Sequence, residues 1–380
     1  MKNLPIVLSV TLTWVSAIAF AQQHANAGEV MFAGTTGARG GKGIYVLQFD
    51  RARQTLTPLQ AVTEKKNPNF LAVGRDEKQL YAIYSEGATP DDRRGTVMSF
   101  DIDPKTGRLT KLNEQSTEGR GPAHVSIDPN GKFAFVANYG AGNFAVYPVN
   151  KDGGLGKAID IRQFSGSGVD TALQKHPFVH SVFTSGNGRF IYVSALGLDK
   201  IMIYELGKDG KLSAGKMPFV KSPPGSGPRH LAFDPSGKFA FSVEEITASV
   251  TSFRVDRSTG GLTSMEHFKM VPEDYTGPTT SGADIHVSPD GKFVYASIRG
   301  LNSIAIYSIE QKTGKLTFVG RENTRGDHPR NFCMDKKGEF VFVANMNSDN
   351  IVIFKRNPVT GQLTYANEIK LPSVACIIQQ

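Results

Sequence analysis

One block of about twenty residues recurs along this chain, and nothing else in the sequence limits the fold so severely. It reads as a turn, a strand with an aromatic in it, a polar loop and a second strand. Copies are DPNGKFAFVANYGAGNFAVYPV from Asp128, DPSGKFAFSVEEITASVTSFRV from Asp234, SPDGKFVYASIRGLNSIAIYSI from Ser288 and DKKGEFVFVANMNSDNIVIFKR from Asp335. A looser copy, SGNGRFIYVSALGLDKIMIYEL, begins at Ser185, and weaker ones surround GRDEKQLYAIY from Gly74 and EVMFAGTT from Glu29. Taking Met31, Tyr81, Phe135, Tyr192, Phe241, Tyr295 and Phe342 as equivalent positions gives spacings of 50, 54, 57, 49, 54 and 47 residues. A period near fifty with several short strands per copy indicates an all-β propeller of four-stranded blades. Seven copies predict seven blades. Alternation such as Phe133, Phe135 and Ala137 has the period of two that strands require.

Each repeat is preceded by a further strand, as in His124-Val-Ser-Ile, His230-Leu-Ala-Phe and Asn331-Phe-Cys-Met, except the first. The segment from Leu371 looks like that missing strand, so Val374 to Ile378 is expected to complete the first blade and close the ring, removing an exposed sheet edge. Cys333 and Cys376 each lie four residues after a proline and are expected at matching sites on the last and first blades, as small buried thiols with no disulfide between them. The repeated Asp-Pro-x-Gly-Lys is a tight-turn signature, which makes its Asp and Lys structural.

The N-terminus has Lys2, an apolar stretch from Leu4 to Ala21, then Ala25-Asn26-Ala27. That pattern predicts a signal peptide over residues 1–27, a propeller domain over 28–380 and a periplasmic or secreted product. No second long apolar run exists, so no stable membrane association is expected after cleavage. The formal charge of +8 is spread singly through turns, with no dense basic run, which argues against nucleic acid and suits a small anionic substrate. Trp14, the only tryptophan, lies in the leader, so the Trp-Asp signature of one propeller family is absent. A monomer is expected.

In a meander, the segment leading into a blade's first strand and the loop after its second strand fall on one face. The lead-in segments carry Pro122-Ala-His124, His176-Pro-Phe-Val-His180, Pro228-Arg229-His230, Asp284-Ile-His286 and Pro329-Arg330-Asn331. The loops carry Asn138-Tyr139, Glu244-Glu245, Arg299 and Asn345. Six of the seven histidines beyond residue 27, all but His267, thus gather at one repeat position. For His124 and His230, hydrogen bonding between blades competes evenly with a role in binding. Arginines grip phosphate or carboxylate, and an arginine facing an ester carbonyl stabilises the oxyanion. A carboxylate with an imidazole can move protons. No Gly-x-Ser-x-Gly elbow, zinc or calcium motif occurs, so neither a serine triad nor a metal is expected. The Gly37 to Gly43 run has no following helix and reads as a loop.

The segments GPRHLAFDPSGKFAFSVEE (Gly227 to Glu245), MVPEDYTGPTTSGADIHVSPDGKFVYASIR (Met270 to Arg299) and HPRNFCMDKKGEFVFVAN (His328 to Asn345) closely resemble the propeller-type 6-phosphogluconolactonase family, which includes fungal carboxy-muconate cyclases. The resemblance spans nearly the whole chain after residue 27. It implies a lactonase without cofactor, acting on a sugar-lactone substrate. By motif, the cyclase site falls on His180, Arg229, Glu245 and Arg299 as catalytic residues, and a lactonase arginine falls on Arg330. Arg330, His124, His230, His286, Asn138 and Asn345 are the expected substrate contacts. The family is expected in the cytosol, so an export leader departs from it, and the expected substrate is 6-phosphogluconolactone or an unphosphorylated aldonolactone. A muconate-type cyclase and a non-catalytic binding propeller are the alternative readings.

Overall fold

The computed structural model describes residues 28–85 and 94–380. The expected signal peptide, residues 1–27, lies outside the described residues. Seven antiparallel four-stranded sheets follow one another round a ring. Each later blade begins with its innermost strand: Pro68–Val73, Pro122–Ile127, Val179–Thr184, Pro228–Phe233, Ser281–Val287 and Pro329–Met334. The first blade takes its innermost strand from the C-terminus, where Val374–Gln379 pairs with Glu29–Thr35. The closure expected from the sequence is therefore present, one residue longer than predicted.

Both faces of each sheet are buried against neighbouring blades, which is why the strands read as nearly continuous apolar runs. Phe133, Phe135 and Ala137 of blade three pack on Val179, Val182, Ile191 and Val193 of blade four. The closing seam is built the same way, with Met31, Leu47 and Phe49 against Phe340, Phe342 and Ile353. Each such fully buried side chain contributes about 1.5–3 kcal/mol. Across that seam Arg51 also bridges Glu29 and Asp335 at 2.7 and 2.6 Å.

The repeated Asp is structural, as expected. Asp128 Oδ1 accepts the backbone N–H groups of Lys132 and Phe133 at 2.6 and 2.7 Å, and Asp234 and Asp335 cap the following strands alike. Gly131 in that turn has φ 68°, a conformation an L side chain would strain.

The register corrects two expectations. Thr35 pairs with Val374 and Gly34 with Cys376, just as Asn345 pairs with Pro329 and Ala344 with Asn331. Phe32, not Met31, is therefore the counterpart of Phe342. Likewise Cys376 matches Asn331, while Cys333 lies two residues deeper, opposite Phe342. The thiols are not at matching sites; both are free and buried, as expected. Proline spacing misled here because Pro372 lies two residues before its strand, whereas Pro329 begins one.

Candidate active site

Every lead-in strand that carries a candidate residue starts with a bulge. Pro122 pairs with Asn138 and His124 with Ala137, leaving Ala123 out of the ladder. The residue left out is Arg229 in blade five, Arg330 in blade seven and His180 in blade four. A bulge takes a side chain out of the alternating pattern and re-aims it. His180 is thus the structural counterpart of Arg229 and Arg330, not of His124 and His230. The second group comes from the ends of the second strands: Arg299 is the last residue of Phe293–Arg299, and Glu245 lies one residue beyond Phe239–Glu244. The Glu245 N–H donates to Gly227 O at 2.7 Å, and its carbonyl accepts from Gly282 N at 2.9 Å. These bonds hold Glu245 between the lead-in segments of blades five and six, and Gly282 of the latter pairs with Ile298 beside Arg299.

The two groups meet on one carboxylate. Glu245 Oε2 accepts from Arg229 Nε at 2.7 Å and lies 3.3 Å from Arg299 Nη2 and 3.9 Å from His180 Nε2. Arg229 also donates to Ala283 O and is wholly buried, while Arg299 donates to Gly282 O at 2.8 Å. Burial alone would raise the Glu245 carboxyl, but Arg299, Arg229 and Arg330 outweigh it and hold it below the usual value. Burial, and then the neighbouring Arg229, keeps His180 far below an ordinary imidazole, so it is neutral at pH 7. Burial lowers the Arg330 guanidinium too, reinforced by Arg299. Among the described residues Arg330 has no hydrogen bond or ion pair. Three arginines thus face one carboxylate, and the site carries uncompensated positive charge.

Immediately beneath, a ring of side chains ties neighbouring first strands together. His124 Nδ1 faces the Val182 N–H at 3.4 Å, and Ser181 Oγ donates to Arg229 O at 2.6 Å. His230 Nδ1 lies 2.7 Å from Asp284 Oδ1, and Asp284 Oδ2 accepts from Asn331 Nδ2 at 2.6 Å and from the Phe332 N–H at 3.2 Å. Asn331 Oδ1 then accepts the Ile377 N–H at 2.7 Å. Most of these residues sit at the register position just after the bulge. His124 therefore takes the inter-blade role weighed against binding. His230 shares that role and also touches the site, 3.4 Å from Arg229 Nη1. Burial and then Arg229 bring the His230 pKa down to about 4.

Other expected contacts fall elsewhere. His286 lies two residues deeper than Asp284 on the same strand, 3.1 Å from Asp284 Oδ2, so it sits down the channel and not at the mouth. Asn138 and Asn345 end their second strands and are wholly buried; their amides donate to Thr117 O at 2.6 Å and Thr324 O at 3.0 Å. Each thus ties its blade to the end of the outermost strand of the blade before it, and its amide oxygen has no hydrogen-bond partner among the described residues. Glu244 occupies their register position in blade five, and burial pushes its carboxyl up to about 8. Two residues were given no role by sequence reasoning: Asp284, the hub of the ring, and Tyr139, beside His180. Aligning the repeats with the bulge included would have put Asp284 in the column of His124, His230 and Asn331.

Among the described residues no group of three or more His, Cys, Asp or Glu is arranged to hold a metal, and no helix is long and apolar enough to cross a membrane.

Comparison with known proteins agrees with the fold. The description "Lactonase, 7-bladed beta-propeller" matches residues 30–379. A 6-phosphogluconolactonase of Bacillus subtilis is 33% identical over 348 residues, covering 91% of this chain and 97% of that protein. One from Formosa agariphila is 35% identical, covering 88% and 94%. The solved structure of a periplasmic gluconolactonase of Pseudomonas aeruginosa superposes with a TM-score of 0.86 at 30% identity, covering 92% of this chain and 98% of that one. On matches of this length and identity, over a ring whose seven blades and closing strand are all present, the chain belongs to the seven-bladed β-propeller lactonase family.

Proposed function

We propose that this protein hydrolyses a sugar lactone to its aldonic acid, with the site built on Glu245 at the mouth of the propeller. The observation that carries the proposal is one ionised carboxylate gripped by two arginines, beside a neutral imidazole and a third arginine without a protein partner. Glu245 is the ionised acceptor of the group, so it takes the proton from the attacking water. Arg229, itself fixed by Ala283 O, orients that carboxylate. Arg299 stabilises the oxyanion formed at the lactone carbonyl, in a site where burial strengthens the charge. His180 donates through Nε2 to the substrate edge, and Arg330 binds an anionic or hydroxyl-rich substituent. His230 backs Arg229 from below. No step calls for a cofactor.

The leader-like residues 1–27 and the periplasmic gluconolactonase among the similar structures favour an exported protein acting on an unphosphorylated aldonolactone. The test is acid release from gluconolactone and 6-phosphogluconolactone side by side, by purified chain 28–380, against spontaneous opening. Faster opening of the plain lactone supports the reading, and preference for the phosphorylated one overturns the export argument alone. Acceleration of neither overturns the function.

A further inference from the structure

Lactone opening takes one proton from water and delivers one to the leaving ring oxygen, and the residues discussed so far account only for the first transfer. When the tetrahedral adduct collapses, the bond from C1 to the ring oxygen breaks, and an unprotonated sugar alkoxide is a poor leaving group. Arg229 and Arg299 are already engaged with Glu245 and with backbone carbonyls, and His180 Nε2 lies 3.9 Å from the same carboxylate.

Tyr139 stands beside His180 at the same mouth. It follows the second strand of blade three, Phe133–Asn138, at the register position that holds Glu245 in blade five. The backbone is pinned alike in both: the Tyr139 N–H donates to Gly121 O at 2.9 Å, as that of Glu245 does to Gly227 O. Its ring lies 4.6 Å from Phe178 and 5.6 Å from His180, centre to centre. Burial pushes the phenol up to about 12, and the Glu245 carboxylate adds to this while Arg229, Arg299 and Arg330 oppose it. The hydroxyl thus lies in the field of all four charged groups of the site and keeps its proton at neutral pH.

Tyr81, Tyr147, Tyr192 and Tyr295 each donate to a backbone carbonyl at 2.7–3.0 Å. Among the described residues the Tyr139 hydroxyl has no hydrogen-bond partner, and the residue is only half-buried.

Resting on the lactonase reading, we propose that Tyr139 is the general acid that protonates the departing ring oxygen. Water loses a proton to Glu245 as its oxygen bonds to C1. On collapse the C1–O bond electrons pass to the ring oxygen, which takes the phenolic proton. The phenolate is then reprotonated with the proton held by Glu245, so the net change is addition of one water.

The test is Tyr139→Phe, which keeps the ring packing and removes only the hydroxyl. On the sugar lactone kcat should fall about 10- to 100-fold with KM within about twofold and an unchanged melting temperature. On dihydrocoumarin, whose phenolate leaves without a proton, the loss should be less than about threefold; if that lactone is not turned over, the kcat and KM split decides alone. Undiminished kcat in an active background overturns the assignment, as does an equal loss on both lactones. Wild-type protein that opens no lactone would instead remove the lactonase reading beneath it.

Discussion

Glu245→Gln is the perturbation that bears most directly on the site, because it removes one charge and almost no volume. Oε2 accepts from Arg229 at 2.7 Å and lies 3.3 Å from Arg299. A hydrogen bond to a charged group contributes about 1.5–3 kcal/mol and a neutral one about 0.5–1.5. A glutamine oxygen keeps the hydrogen bond from Arg229 but loses the ionic attraction to both guanidinium groups, a loss of about 1–2 kcal/mol. The side chain is 23% exposed, which trims this further. The expected destabilisation is about 1 kcal/mol, or about 1–2 °C in melting temperature for a domain of about 350 residues. Loss of the general base should cost far more in rate, about a thousandfold in kcat, equivalent to about 4 kcal/mol. KM for an anionic lactone should fall, since three arginines would face no carboxylate. The assay is initial-rate acid release at pH 7 with melting measured on the same preparation. A folded variant that keeps a third or more of wild-type kcat would refute Glu245 as the base.

Arg330→Ala should raise KM for 6-phosphogluconolactone about tenfold or more but KM for gluconolactone by less than about threefold, because a phosphate is the stronger partner for a free guanidinium; equal effects would remove it as an anion contact. Asp284→Asn should lower stability by about 3–5 kcal/mol in denaturant titration, since an amide nitrogen cannot replace the acceptor shared by His286, Asn331 and Phe332; a midpoint within error of wild type would show the ring to be dispensable. Burial holds His124, His180 and His230 below their ordinary value, so their unfolded forms bind protons that the native forms refuse. Stability should therefore fall as pH drops below about 6.5, by about 1.4 kcal/mol per pH unit for each histidine. His286 is displaced upward, because Asp284 outweighs its burial, and works in the opposite sense above that pH. Chemical denaturation at pH 7 and pH 5.5 checks the sign, and greater stability at pH 5.5 would contradict it.

Architecture was legible in the sequence because a propeller states its fold by repetition. The copies from Asp128, Asp234, Ser288 and Asp335 show the period, and the unmatched strand after Leu371 shows the closure. Chain topology then puts lead-in segments and second-strand loops on one face, so His180, Arg229, Glu245, Arg299 and Arg330 could be gathered before any contact was known. The grouping of His180 with His124 and His230 by residue type was less informative than the pairing that sets it beside the arginines.

Tertiary structure alone decided depth and direction. A strand alternates with period two, so a single bulged residue moves every later side chain to the other face, and only the partner strand determines which residue is bulged. That made Ala123, His180, Arg229 and Arg330 one set and put His124, His230, Asp284 and Asn331 beneath them. It separated Cys333 from Cys376 by two positions and buried Asn138 and Asn345 behind the mouth. The sequence by itself determined which residues travel to the mouth; pairing between strands determined which of them face the substrate and which hold the ring together.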